Sequence, residues 1–169
     1  MNPAPAPDAR TGIAPAPTPC LILGSTSRYR RELLQRLHIP FEVVSPEVDE
    51  SQHVGESPEQ LARRLALAKA RAVAANFPEA VVIGSDQVAD LAGQALGKPG
   101  SHVNAVAQLR LMRGRNLVFH TAVAVVCLQT GFEQTDLAAV TVQFRALSDE
   151  EIENYLQAER PYDLSLIHI

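Results

Sequence analysis

The chain has 169 residues, 46% of them hydrophobic and 20% charged, with 12 Pro, 9 Gly and 2 Cys. That is enough for one domain with a buried core, and it excludes a disulfide-stapled scaffold. A net charge of -4 leaves no basic footprint for bulk nucleic-acid binding, and no apolar run approaches the ~18 residues of a membrane span, so a cytoplasmic α/β domain is expected.

In chain order, residues 1–19 are Pro/Ala-rich with almost no bulky apolar side chain, which predicts a disordered arm rather than a secretory signal. Cys20-Leu-Ile-Leu predicts a short buried strand ending at Gly24, and both Cys20 and Cys127 are expected to be buried free thiols. Ser25-Thr-Ser27 offers an N-cap to a helix whose apolar stripe is Leu33, Leu34 and Leu37, stopped before Pro40. Phe41–Val44 predicts a second strand, followed by an acidic loop over 45–55. Ser57-Pro-Glu-Gln60 is a capping box opening a second helix with Leu61, Leu65, Ala68 and Ala72 on its core face.

Ala80–Gly84 predicts a third strand with Ser85-Asp86-Gln87 just past its C-terminal end, then a turn-rich connection over 91–100. A third helix is expected over Val103–Arg113, and Leu117–Leu128 with Phe132–Phe144 read as a long antiparallel hairpin. Ser148-Asp-Glu-Glu151 caps a last helix carrying Ile152, Tyr155 and Leu156. The order of elements predicts a mixed-sheet α/β domain. Residues 164–169, Leu-Ser-Leu-Ile-His-Ile, are expected to be a non-native tail, because the codons CTG TCT CTT ATA CAC ATC that would encode them spell a sequencing adapter.

Ligands of α/β sheets collect beyond the strand ends, and three polar clusters are expected there. The stretch from Ser25 to Arg30 combines hydroxyls, helix N–H groups and arginines, a set suited to phosphate or equally to simple helix capping. Asp49-Glu50 and Asp86 could hold Mg²⁺ beside phosphate oxygens, or serve a solvated loop and a turn. Of 15 basic residues only two, Lys69 and Lys98, are Lys. Lysines kept where arginine is otherwise preferred suggest a need for compact ammonium groups, here at phosphates. Tyr29 suits either helix packing or stacking on a base. The five His have no metal-ligand spacing, and neither a dinucleotide fingerprint, a P-loop nor a G-x-S-x-G turn is present.

Taken together, residues 21–34 (LILGSTSRYRRELL), Val48-Asp49-Glu50, Ala66-Leu-Ala-Lys-Ala70, Ile83-Gly-Ser-Asp-Gln-Val88 and Gly97-Lys98-Pro99 resemble, in order, the motifs of the Maf family of nucleoside triphosphate pyrophosphatases. Ser-Asp-Gln at 85–87, in place of the Ala-Asp-Thr of the dTTP/UTP branch, resembles the 7-methyl-GTP pyrophosphatase subfamily. The resemblance implies a Maf/ITPase-like α/β fold: a mixed β-sheet with flanking helices and a central cleft, in some members a homodimer. It also implies a divalent cation, Mg²⁺ or Mn²⁺, and cleavage of the α–β phosphoanhydride of a nucleoside triphosphate. By the same resemblance Asp86 is the proton acceptor and Glu50, with Asp86, the metal position. Ser25, Arg30, Lys69 and Lys98 would hold phosphates, and Tyr29 and Gln87 would set specificity. A dTTP/UTP pyrophosphatase, or a non-catalytic nucleotide-binding regulator of septation, is the alternative reading. Arg28 departs from the family's usual Pro. The resemblance runs over 20–163 and then lacks the family's Gly-rich segment and final helix, so the domain is expected to be C-terminally truncated.

Overall fold

The first apolar run forms β1 (Leu21–Gly24), and the chain then turns through Ser27, whose hydroxyl caps α1 (Arg28–Gln35). The computed structural model describes residues 20–159; the predicted N-terminal arm and C-terminal tail lie outside that range. Next come β2 (Glu42–Val44), α2 (Pro58–Ala74), β3 (Val81–Leu91), β4 (Gln94–Leu96), α3 (His102–Met112), β5 (Asn116–Cys127), β6 (Phe132–Gln143) and α4 (Asp149–Glu159). The capping boxes at Ser57/Gln60 and Ser148/Glu151 form as predicted, each with both reciprocal hydrogen bonds.

The sheet order is β2-β1-β3-β5-β6, with β4 paired to β3. β2, β1 and β3 are parallel, and β3, β5 and β6 are antiparallel. One face packs on α2 through Ile22, Val82, Val88, Ala122, Ala124 and Val126, which meet Leu61, Leu65, Ala66, Ala70 and Val73. Farther along, a second core joins Ala89, Leu91, Leu117 and Phe119 to α3 and α4 through Leu109, Ile152 and Leu156. Side chains alternate across a strand, so these two clusters occupy opposite faces.

Several expectations are corrected. The third strand does not stop at Gly84: it runs on to Leu91, because β5 continues to pair with it through Asp86↔Ala122 and Gln87↔Thr121. Its other neighbour, β1, does stop, at the pair Gly24↔Gly84. Ser85-Asp86-Gln87 therefore lies inside a strand but beyond the end of the parallel half of the sheet, where one edge of β3 is released. The turn-rich connection contains β4, joined to β3 by a two-residue hairpin turn in which Ala92 and Gly93 both have positive φ, 55° and 88°. Ala92 is an unfavourable choice there, since a side chain without a local hydrogen bond is strained in the left-handed region. Ala92→Asn is expected to raise stability by about 1 kcal/mol, read from thermal unfolding.

The leucine stripe of α1 does not enter the core. No residue of that helix is buried, and Leu33 and Leu37 are 58% and 62% exposed. With Leu34, Leu23 and Ile83 they line a groove of about 260 Å³ that Arg30 and Ser85 border. Cys20 is exposed and only Cys127 is buried: Cys20 lies at the outer end of β1, where its carbonyl still accepts from the Val81 N–H at 2.9 Å. On α2 the buried face is wider than predicted, taking in Ala62, Ala66 and Ala70, while Ala68 and Ala72 are only partly covered.

Candidate active site

Helix α2 lies directly on β3 because residue 84 has no side chain. A Cβ at Gly84 would collide with the Ala66 carbonyl oxygen and fall 2.5 Å from the Ala70 nitrogen. That close approach places Lys69, in the same turn of α2, over the next residue of β3 on this face, Asp86. The Lys69 Nζ donates to Asp86 Oδ1 at 2.6 Å and pairs with Glu50 Oε1 at 2.7 Å. Lys69 and Asp86 are nearly buried, with side chains 8% and 11% exposed, whereas Glu50 is 51% exposed.

This difference in depth separates the two carboxylates. Burial pushes the Asp86 carboxyl above its ordinary value, and the charges of Lys69 and Arg30 only partly oppose that. Partial burial also pushes Glu50 upward. There the hydrogen bond and charge of Lys69, helped by Lys98 and Arg30, prevail and hold it below the usual range. Two acids on one ammonium group with displaced titrations are suited to different roles.

Ser25 and Arg30 approach from the end of β1. Ser25 is buried; its Oγ accepts from Ser27 N and from Arg30 Nη1, both at 3.2 Å. Burial lowers the Arg30 guanidinium from its ordinary value, against the attraction of Asp86 and Glu50. The capping role belongs to Ser27, and Arg30, bonded to Ser25, lies within electrostatic reach of Asp86 and Glu50. The structure thus brings Ser25, Arg30, Glu50, Lys69 and Asp86 together. Lys98 is exposed and reaches this group only as a charge felt by Glu50. Gln87 projects to the opposite face from Asp86 and donates from Nε2 to Thr121 Oγ1 at 2.9 Å. Tyr29 is 45% exposed on α1.

Residues 20–165 match the family described as Maf-like protein. The chain belongs to the Maf family. It is 69% identical over 163 residues to the 7-methyl-GTP pyrophosphatase of Polaromonas sp. (strain JS666 / ATCC BAA-500), covering 96% of this chain and 74% of that relative. It is 71% identical over 143 residues to the protein of the same name from Albidiferax ferrireducens, covering 85% and 72%. With the one from Methylobacillus flagellatus the identity is 59% over 144 residues, covering 85% and 75%.

In this Maf chain the loop bearing Glu50 is held by contacts that no sequence pattern announces. Asp49 turns inward on that loop, its Oδ1 accepting from Ser51 N at 2.9 Å, so it is a turn residue. Arg64 of α2 grips Glu56 through two nitrogens, at 2.6 and 2.9 Å, and donates to the Ser51 carbonyl at 2.8 Å. The only sequence signal was a pair of opposite charges eight residues apart, a spacing that no helix periodicity singles out.

The fit of a divalent cation to this Maf site rests on Glu50 and Asp86. Both oxygens contact one ammonium nitrogen, so both can reach one ion. Among the described residues no group of three or more His, Cys, Asp or Glu converges. A site of two carboxylates suits Mg²⁺, which takes its other ligands from phosphate and water.

Proposed function

We propose that this chain is a nucleoside triphosphate pyrophosphatase acting on 7-methyl-GTP, releasing 7-methyl-GMP and pyrophosphate. The observation that carries this reading is the convergence of Lys69, Arg30 and Ser25 on the Asp86–Glu50 pair, in a chain about 70% identical to relatives named for that activity. The substrate's phosphates bring several negative charges. Arg30 and Lys69, with the exposed Lys98, offset them. Asp86, whose buried carboxyl is the weaker acid of the pair, accepts the proton of the water that attacks the α-phosphorus. The α–β P–O bond breaks and pyrophosphate leaves. A divalent cation held by Glu50 and Asp86 supplies further charge neutralisation at the phosphates when bound. Exposed Tyr29 offers an aromatic face to the cationic 7-methylguanine ring.

The test is pyrophosphate release across 7-methyl-GTP, GTP, dTTP and UTP with Mg²⁺ or Mn²⁺. The highest kcat/KM is expected for 7-methyl-GTP. Tyr29→Ala is expected to narrow its advantage over GTP about 2–5-fold. A preference for dTTP or UTP, or tight nucleotide binding without pyrophosphate release, would overturn the assignment.

A further inference from the structure

Glu50 stands on a loop without secondary structure between β2 and α2, yet its carboxylate meets Lys69 at 2.7 Å. The half-exposed Glu50–Lys69 contact is too slight to order the thirteen residues of loop 45–57 by itself, because each ordered residue costs about 1–2 kcal/mol of backbone entropy. The loop is ordered from behind. The Glu56 carboxylate, with its side chain 8% exposed, takes both Arg64 bonds and the His53 backbone N–H at 3.0 Å. Gln52 Nε2 donates to the Glu56 carbonyl at 2.7 Å. Arg64 also holds the carbonyl of Ser51, the residue next to Glu50. Five residues are thereby closed into a ring of hydrogen bonds whose one fixed anchor is the second turn of α2.

Lys69 lies on the same helix, five residues beyond Arg64. From this geometry we infer that Arg64 and Glu56 are positioning residues: they form a latch that sets the height of Glu50 on α2 and so keeps its carboxylate on Lys69. Neither residue touches the reacting atoms. The inference rests on the proposed enzymatic reading for its kinetic consequence, but its structural half does not. The Arg64 hydrogen bonds hold the Glu56 carboxyl down at about 2, despite opposing desolvation. The latch stabilises the fold fully above the ordinary carboxylate range and is lost as pH falls toward 2, so it stays closed throughout the range in which a nucleotide assay is run.

Two measurements on the full chain test this. Arg64→Met is expected to lower kcat about 10–100-fold, the usual effect of removing a group that orients a ligand residue, with KM for 7-methyl-GTP changed much less. Arg64→Lys should recover part of the loss, since one ammonium can hold either Glu56 or the Ser51 carbonyl but not the bidentate pair. In a double-mutant cycle, Arg64→Met added to Glu50→Gln should cost less than threefold more, because the latch acts through Glu50. Full multiplication of the two losses would overturn the positioning role. Independently of turnover, backbone hydrogen exchange over residues 49–54 should speed up in Arg64→Met while that of β3 is unchanged; unaltered exchange there would overturn the latch. If the wild-type chain releases no pyrophosphate from any nucleotide, the enzymatic reading has failed, and the exchange result still decides the latch.

Discussion

Asp86→Asn is expected to lower kcat about 10²–10⁴-fold while leaving Tm at or above that of the wild-type chain. The kinetic loss follows from removing the proposed proton acceptor at the centre of the Lys69, Glu50 and Arg30 cluster. The stability gain follows from the direction in which burial moves the carboxyl. A folded-state value raised above the unfolded one means that the stability this group contributes is greatest below the unfolded value and lost as pH rises through the folded one. Asn carries no such titration, and Lys69 keeps Glu50 as its counter-ion. The same raised titration gives the wild-type rate an acid limb above the ordinary carboxylate range, since the acceptor must be ionised. Pyrophosphate release against pH, with thermal unfolding of both proteins, checks both halves. A variant with full activity would remove Asp86 from the chemistry, and a large drop in Tm would make it a structural residue.

The largest stability effect is expected at Gly84. An added methyl would press on the backbone of α2 at Ala66 and Ala70, neither of which is the end of a flexible side chain. The helix must therefore move away from the sheet or the strand must bend. Overpacking of this kind costs about 1–3 kcal/mol. Because Lys69 sits in the displaced turn, Gly84→Ala should also weaken turnover by more than its stability loss explains at a temperature where the variant is fully folded. Gly97→Ala is the control for unfolding: its Cβ meets nothing within 4 Å, and a change within about 0.5 kcal/mol is expected. Equal denaturation midpoints for the two variants would refute the packing argument.

Much of the fold was legible in the chain. Serine caps, a Pro at a first turn and period-two apolar runs located four helices and five of the six strands, because these signals act over a few residues. Asp86 was harder to place. A polar Ser-Asp-Gln triplet resembles a strand terminus, and only the distant partner β5, with Ala122 and Thr121 opposite, keeps it extended. The stripe of α1 shows the converse: Leu33 and Leu37 have core spacing, but the described sheet provides no second layer to cover them. The scarcity of lysine singled out both Lys69, which the fold places at the hub of the cluster, and Lys98, which is an exposed neighbour. Arg64 and Glu56 were silent because their partners come from a loop whose path no local pattern specifies.

The change from parallel to antiparallel pairing along β3 also has a kinetic meaning. β5 and β6 are joined by a short hairpin turn, while β1 and β3 must close contacts between residues as far apart as Ile22 and Val82. Long-range closure is the slower event in chain folding. Asp86 and Lys69 lie 17 residues apart on the consecutive elements β3 and α2, whereas Ser25 and Arg30 join them once β1 pairs with β3. The Lys69–Asp86 pair can therefore form before the β1 register is set, so a chain caught part-way through folding carries the carboxylate and its ammonium without the Arg30 guanidinium.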